Sequence, residues 1–161
     1  LDPDTASTFA GAVGGRSVSL ADAAGADVVC TATPARTPFL EDDWVRPGAH
    51  VNAMGADAPG KQEVAVELLR RAAIYIDDVH QATGSGEINV PLASGELALE
   101  DLAGTLGEVV AGSLPKPTSD VTTLFDSTGL AVQDVALARA IYDEARARGV
   151  GHEVDLLGLH E

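Results

Sequence analysis

Asp27-Val28-Val29-Cys30-Thr31-Ala32-Thr33-Pro34 is a short run of β-branched and small residues that stops at a proline. Such residues suit a pleated strand, and Pro34 biases Thr33 towards extended backbone while offering no N–H to a ladder. The run therefore reads as a strand, with Thr31 to Pro34 at its carboxyl end. Working outward, further short apolar runs stand at His50 to Met54, at Ala73 to Asp77 and at Val121 to Phe125. The stretches between them are helical in pattern, which is how a parallel sheet with crossover helices reads. A shorter strand is expected at Ser17 to Ser19.

The helix signals fill in the rest. Asp4 or Thr5 is placed to cap a first helix reaching Val13, and Ser19 to cap a short one over Leu20 to Ala24. A short helix is expected at Leu40 to Val45, ended by Pro47-Gly48, and longer ones at Lys61 to Arg71 and Leu99 to Gly112. Between Asp78 and Pro91, with Gly84-Ser85-Gly86, the pattern loosens; Pro115 and Pro117 mark a linker. The longest helix is Leu130 to Arg148, stopped by Gly149, with Leu130, Val132, Leu137, Ile141 and Ala145 as its apolar stripe. Gly11-Ala12-Val13-Gly14-Gly15 follows a helix pattern and lacks the Gly-x-Gly-x-x-Gly spacing, so it reads as a helix stop. The expected fold is thus α/β: a partial Rossmann-like, doubly wound parallel sheet that lacks the first strand-turn-helix and carries a long C-terminal helix.

Composition narrows the function. The 161 residues carry ten Lys and Arg against 25 Asp and Glu, a net charge of -15, with 45% hydrophobic residues and a mean hydropathy of +0.10. One folded core is expected, and the acidic surplus disfavours nucleic acid and anionic membrane as partners. The single cysteine, Cys30, excludes an intramolecular disulfide and reads as a small buried hydrophobe. No apolar run approaches a membrane span and Leu1-Asp2-Pro3-Asp4 has no basic signal region, so a cytoplasmic location is expected. His50, His80, His152 and His160 are scattered without partners at ligand spacing, so no metal site is expected.

The candidate chemistry lies in Gly55-Ala56-Asp57-Ala58-Pro59-Gly60-Lys61. A strand delivers a glycine turn there, which sets Asp57 at the carboxyl edge of the sheet, where ligands bind in open α/β folds. Residue chemistry alone leaves two readings: Asp57 as a helix cap with Pro59 in the first turn, or Asp57 as a functional carboxylate. Thr31 is likewise either a β-former in a strand or a ligand contact, and Ser127 and Thr128 are either caps before Leu130 or site residues.

Four stretches resemble the ornithine cyclodeaminase and mu-crystallin family, in order and spacing, over nearly the whole chain. They are Ala26 to Pro34; His50-Val51-Asn52-Ala53-Met54-Gly55-Ala56-Asp57-Ala58-Pro59-Gly60-Lys61-Gln62-Glu63; Gly86-Glu87-Ile88-Asn89-Val90-Pro91-Leu92; and Thr123-Leu124-Phe125-Asp126-Ser127-Thr128-Gly129-Leu130-Ala131-Val132-Gln133-Asp134. The resemblance implies that Asp57 is the catalytic carboxylate. It further implies that Thr31, Met54, Gly55, Ala56, Asp57, Lys61 and Ser127 contact NAD, with NADP as the alternative, and that Thr128 borders the substrate. The implied activity is oxidation at the alpha carbon of a small amino acid, or reduction of the imine, in the manner of the family's alanine dehydrogenase branch. Two alternatives stand beside it: ornithine cyclodeaminase, giving proline and ammonia, and a noncatalytic mu-crystallin-like dinucleotide or small-ligand binder. On the same resemblance, residues 1–129 form an incomplete NAD(P)-binding domain. Residues 130–161 return towards a dimerisation and substrate domain outside this stretch, through which a homodimer forms, and the 161 residues alone are expected to be inactive.

Overall fold

The computed structural model describes residues 2–154. His160 and the end of the expected C-terminal tail lie outside them. Two compact units divide the chain, residues 1–128 and 129–161.

The first unit is built on five parallel strands. Helix α1 (Pro3–Ala12) starts from Asp2, whose carboxylate accepts from the N–H groups of Asp4 and Thr5. The cap is therefore two residues earlier than Asp4 and comes from the residue before Pro3, which needs no N–H at the first helical position. Ser17 to Ser19 is not a strand; Ser19 is extended only as the cap of α2 (Leu20–Ala24). Next come β1 (Val28–Thr31), a 3-10 turn at Asp42–Trp44 in place of the expected helix, β2 (His50–Ala53), α3 (Val66–Arg71) and β3 (Ala73–Ile76). After these follow α4 (Val79–Ser85), α5 (Asn89–Ser94), β4 (Leu102–Thr105), α6 (Leu106–Val110) and β5 (Thr123–Asp126).

The strand order is β1-β2-β5-β3-β4, so the last strand in sequence inserts at the centre of the sheet. Its neighbours are in register with it: His50 pairs with Thr123 and Ala73 pairs with Thr123 from the other side. Residues 28–31 and 50–53 are adjacent parallel partners, Val28 with His50 through Thr31 with Ala53.

Alternation along each strand decides the layers. Val51, Ala53, Ile74, Ile76 and Leu124 all point to one face and are buried there with Leu40, Val64, Leu68, Leu69 and Ile88. His50, Asn52, Tyr75, Thr123 and Phe125 point to the other and line a groove of about 470 Å3 with residues of α6 and its following loop. The strands are thus buried on one face, rather than on both as continuous apolar runs suggest.

Cys30 corrects the sequence reading more sharply, because it is exposed. β1 is the edge strand, pairing with β2 alone among the described residues, and Val28 and Cys30 point away from the buried face.

Leu99 to Gly112 is a second correction. Instead of one helix it holds a 3-10 turn at Leu99–Asp101, then β4, then α6. Thr105 ends the strand and starts the helix: its hydroxyl accepts from the Glu108 N–H while the Glu108 carboxylate accepts from the Thr105 N–H. Thr105→Ala is expected to lower unfolding free energy by about 1 kcal/mol, the worth of an N-cap, measured by urea titration. No change at all would mean that α6 is held by its neighbours rather than by its cap.

The second unit contains α7 (Ala131–Arg148), which stops at Gly149 in the left-handed conformation. Its apolar residues Val132, Val135, Leu137 and Ile141 are all exposed. No helix among the described residues is long and apolar enough to cross a membrane.

Candidate active site

The turn after β2 forms the floor of the site. Met54 N–H donates to the Thr31 carbonyl across the strand pair at 2.9 Å, which extends the ladder one residue beyond Ala53. Gly55 then breaks it. A Cβ on Gly55 would lie 2.3 Å from the Thr33 carbonyl and 2.5 Å from the Glu63 carboxyl, so the two chain segments approach as closely here as a backbone without a side chain allows. Ala56 is buried behind the turn.

Asp57 projects from it. The Asp57 side chain is 67% exposed and ion-paired with Lys61, whose side chain is 18% exposed. The Lys61 ammonium, by its hydrogen bond first and its charge second, holds the Asp57 carboxyl below the usual carboxylate range. Asp57 caps no α-helix. The expected helix from Lys61 begins only at Val66, because the Pro59-Gly60 turn, with Gly60 at φ +77°, leads into an extended stretch that bridges Val64 to Leu40. One of the two readings left open by the sequence is thereby removed.

The same holds at the tip of β5. Helix α7 has Leu130 at its cap position and no side-chain cap bond, so neither Ser127 nor Thr128 serves it. Ser127 N–H donates to the Ala53 carbonyl at 3.0 Å, and Thr128 is bound to Asp77 through both its N–H and its hydroxyl at 2.7 Å. All the candidate residues stand at the carboxyl edge of neighbouring strands: Thr31 on β1, Met54, Gly55, Ala56, Asp57 and Lys61 beyond β2, and Ser127 and Thr128 beyond β5.

Not all of them line one cavity. A depression of about 270 Å3 is bounded by Ala32, Thr33, Pro34, Met54, Gly55, Asp57 and Lys61. Thr31 lies below it, buried, with its hydroxyl donating to Glu63 Oε2 at 2.6 Å. Ser127 and Thr128 stand outside it. A cavity of this size accepts one planar ring of a dinucleotide and not the whole molecule, since sites that enclose a drug-sized ligand run from roughly 300 to 1,000 Å3. An apolar hollow of about 420 Å3, lined by Leu20, Val29, Phe39 and Trp44, shares Ala32, Thr33 and Pro34 with it.

Beneath this surface lie three carboxyl groups to which the sequence analysis gave no role. Glu63 accepts from Thr31 Oγ1 and from the N–H groups of Thr33 and Gly55. Glu87 Oε1 accepts from the N–H groups of Glu63 and Val64 at 2.8 and 2.6 Å, while its Oε2 has no hydrogen-bond partner. Asp126 accepts from the N–H groups of Glu87 and Ile88. All three residues are buried. Burial, reinforced by the charges of Asp126 and Glu63, pushes Glu87 up to about 8 against the pull of its two N–H bonds. Burial likewise pushes Asp126 up to about 6, with Asp77 adding to it. Asn89 ties in the far side of the turn, accepting from Gly60 N–H and donating to the Lys61 carbonyl.

At the strand tips of this parallel α/β sheet a glycine turn, an exposed carboxylate and a lysine gather around a ring-sized hollow. Comparison with known sequences and structures places the chain in a family. The ornithine cyclodeaminase/mu-crystallin family model matches residues 10–149, and the chain belongs to that family. It is 48% identical over 134 residues to the alanine dehydrogenase of Archaeoglobus fulgidus, covering 83% of this chain and 42% of that protein. It is 41% identical over 131 residues to the iminosuccinate reductase of Paracoccus denitrificans, covering 81% and 41%. An archaeal alanine dehydrogenase dimer with bound NAD superposes with a TM-score of 0.82 at 43% identity, over 93% of this chain and 48% of that one. The Thermococcus litoralis Delta(1)-pyrroline-2-carboxylate reductase in complex with NADH and L-proline gives 0.86 at 29% identity, over 96% and 51%. The chain thus spans about half, or less, of the length of these relatives.

Proposed function

We propose that the protein is an NAD-dependent oxidoreductase acting at the alpha carbon of a small amino acid or its imine, with Asp57 as its acid-base residue. The observation that carries this reading is the placement of an exposed carboxylate, paired with one lysine, directly over the glycine turn that closes the ring-sized hollow. NAD, when bound, supplies the acceptor for hydride from the alpha carbon and returns it in the reverse direction. Asp57, kept ionised by Lys61, takes the proton released from the substrate amine, or draws one from the water that adds to the imine. Lys61 offers positive charge to an anionic cofactor. The turn from Met54 to Asp57 bounds one side of the hollow and would limit water there once the cofactor is bound. Thr31 and Ser127 are proposed as cofactor contacts and Thr128 as a substrate neighbour; residues 1–129 are taken as part of the NAD-binding domain, and residues 130–161 as the return towards a further domain. Action in the cytoplasm and as a homodimer belongs to the same proposal, since the archaeal relative is a dimer.

The intact protein is expected to reduce NAD in the presence of alanine or another small amino acid, read as NADH absorbance, and to run backward with the oxo acid and ammonia. Conversion of ornithine to proline without net NADH would move the protein to the cyclodeaminase reading. Tight NADH binding with no turnover of any amino or imino acid would leave a binding protein and overturn the enzyme reading.

A further inference from the structure

The hydrogen bonds beneath the site converge on one side chain. Three donors from two different segments end on the Glu63 carboxyl: Thr31 Oγ1 and Thr33 N–H from the tip of β1, both at 2.6 Å, and Gly55 N–H from the tip of β2, at 2.9 Å. No other side chain among the described residues is hydrogen-bonded to both tips. Glu63 is itself held from below, because Glu87 takes its backbone N–H and Asp126 takes the backbone N–H of Glu87. A chain of carboxyl groups therefore runs from the end of β5 to the turn that carries Asp57.

We propose that Glu63 is a positioning residue for the reaction, fixing the Gly55 turn against the β1 tip so that Asp57 and the ring-binding surface keep one separation. The inference rests on the proposed oxidoreductase reading and deepens it. The ladder between the two segments ends at Thr31 and Met54, and beyond those residues each runs on as loop. A buried carboxyl that accepts three donors restrains both at once, and a displacement of about 1 Å between binding surface and reacting group costs up to about a hundredfold in rate. Glutamine has the same shape yet cannot replace it. Its amide nitrogen brings N–H donors to one of the two oxygen positions, facing either Thr33 N–H or Gly55 N–H, and two donors repel.

The test compares wild type with Glu63→Gln and with the gentler Thr31→Val, which removes one donor and keeps the volume. Three quantities are read in the intact protein, well below its melting temperature: NADH affinity by fluorescence titration, kcat against KM for the amino acid, and amide exchange at Thr33 and Gly55. Glu63→Gln is expected to weaken NADH about tenfold and to lower kcat about tenfold or more, with the amino-acid KM moved less than about threefold and with faster exchange at both amides. Thr31→Val is expected to weaken NADH about threefold and to speed exchange at Gly55. If Glu63→Gln does not fold, faster exchange at Gly55 in Thr31→Val decides alone, because Thr31 is itself proposed to touch the cofactor and its NADH affinity reports both roles. Wild-type NADH affinity and kcat in the variants, or a kcat loss that vanishes on correction for unfolded protein, overturns the positioning role while leaving the oxidoreductase reading intact. A wild type that neither binds NADH nor turns over sinks that reading, and the positioning role with it.

Discussion

Asp57→Asn is expected to lower kcat by two to four orders of magnitude without moving the melting temperature. The rate loss is what removal of a positioned proton acceptor costs. The stability is spared because the Asp57 side chain is mostly in water and caps no α-helix. NADH affinity should change little by comparison, since the turn backbone and Lys61 remain. A pH profile sharpens the test. Lys61 holds the Asp57 carboxyl low, so Lys61→Met should let it rise towards its ordinary value. A base works only when deprotonated, so the acid limb of kcat/KM should then move to higher pH, together with weaker cofactor binding. Full activity in Asp57→Asn would remove the carboxylate from the mechanism, and with it the argument from the turn geometry.

Glu87→Gln is expected to act on stability, with a sign that depends on pH. Glu87 ionises at about 8 in the folded protein against about 4.5 when free, and so binds its proton more tightly folded than unfolded. The stability this contributes is full below about pH 4.5 and is lost progressively as the pH rises through 8. Glutamine keeps an oxygen for the N–H groups of Glu63 and Val64 and cannot ionise. The variant should match wild type near pH 4.5 and exceed it at pH 8 by roughly 4 kcal/mol, which for a domain of this size is about 8–16 °C in melting temperature. Asp126, pushed up to about 6 by burial, makes wild-type stability fall over a lower window, from about pH 4 to 6, and that slope should persist in the variant. Thermal melts at pH 4.5, 6 and 8 measure both. Parallel stability curves for variant and wild type across that range would show that Glu87 is solvated rather than shut in.

Much of the sheet can be read from short β-branched runs. β1, β3 and β5 lie within stretches that cluster Val, Ile and Thr, β2 is marked instead by its buried Val51 and Ala53 alternating with polar residues, and Pro34 and Gly55 end two of the strands visibly. β4 is hidden for a physical reason. Leu99 to Gly112 is rich in Leu, Glu and Ala at helical spacing, while its four-residue strand has a register irregularity against β3 and a glycine at φ +143°. Helices α4 and α5 are obscured by Gly84, Gly86 and Pro91, although Pro91 sits in the first turn of α5, where its missing N–H costs nothing.

The site divides in the same way. Asp57 and Lys61 belong to a recognisable motif, and their neighbourhood follows from strand-turn logic. Glu63, Glu87 and Asp126 stand in the same quoted motifs, yet a sequence offers no means of telling a buried acid from a solvated one. What decides their role is which N–H groups from distant segments come to meet them, and that is a property of the assembled sheet.

The central position of β5 bears on how the chain reaches its native state. Thr123 is 73 residues beyond the His50 it pairs with, and β2 and β3 are joined in the sheet only through β5, which lies between them. A ribosome-bound chain therefore carries two half-sheets, each with an unzipped side, until nearly four fifths of these residues have been made. Such long-range closure is slow. Yield on expression should accordingly respond more to temperature and chaperone supply than to the strength of any single contact in the finished core.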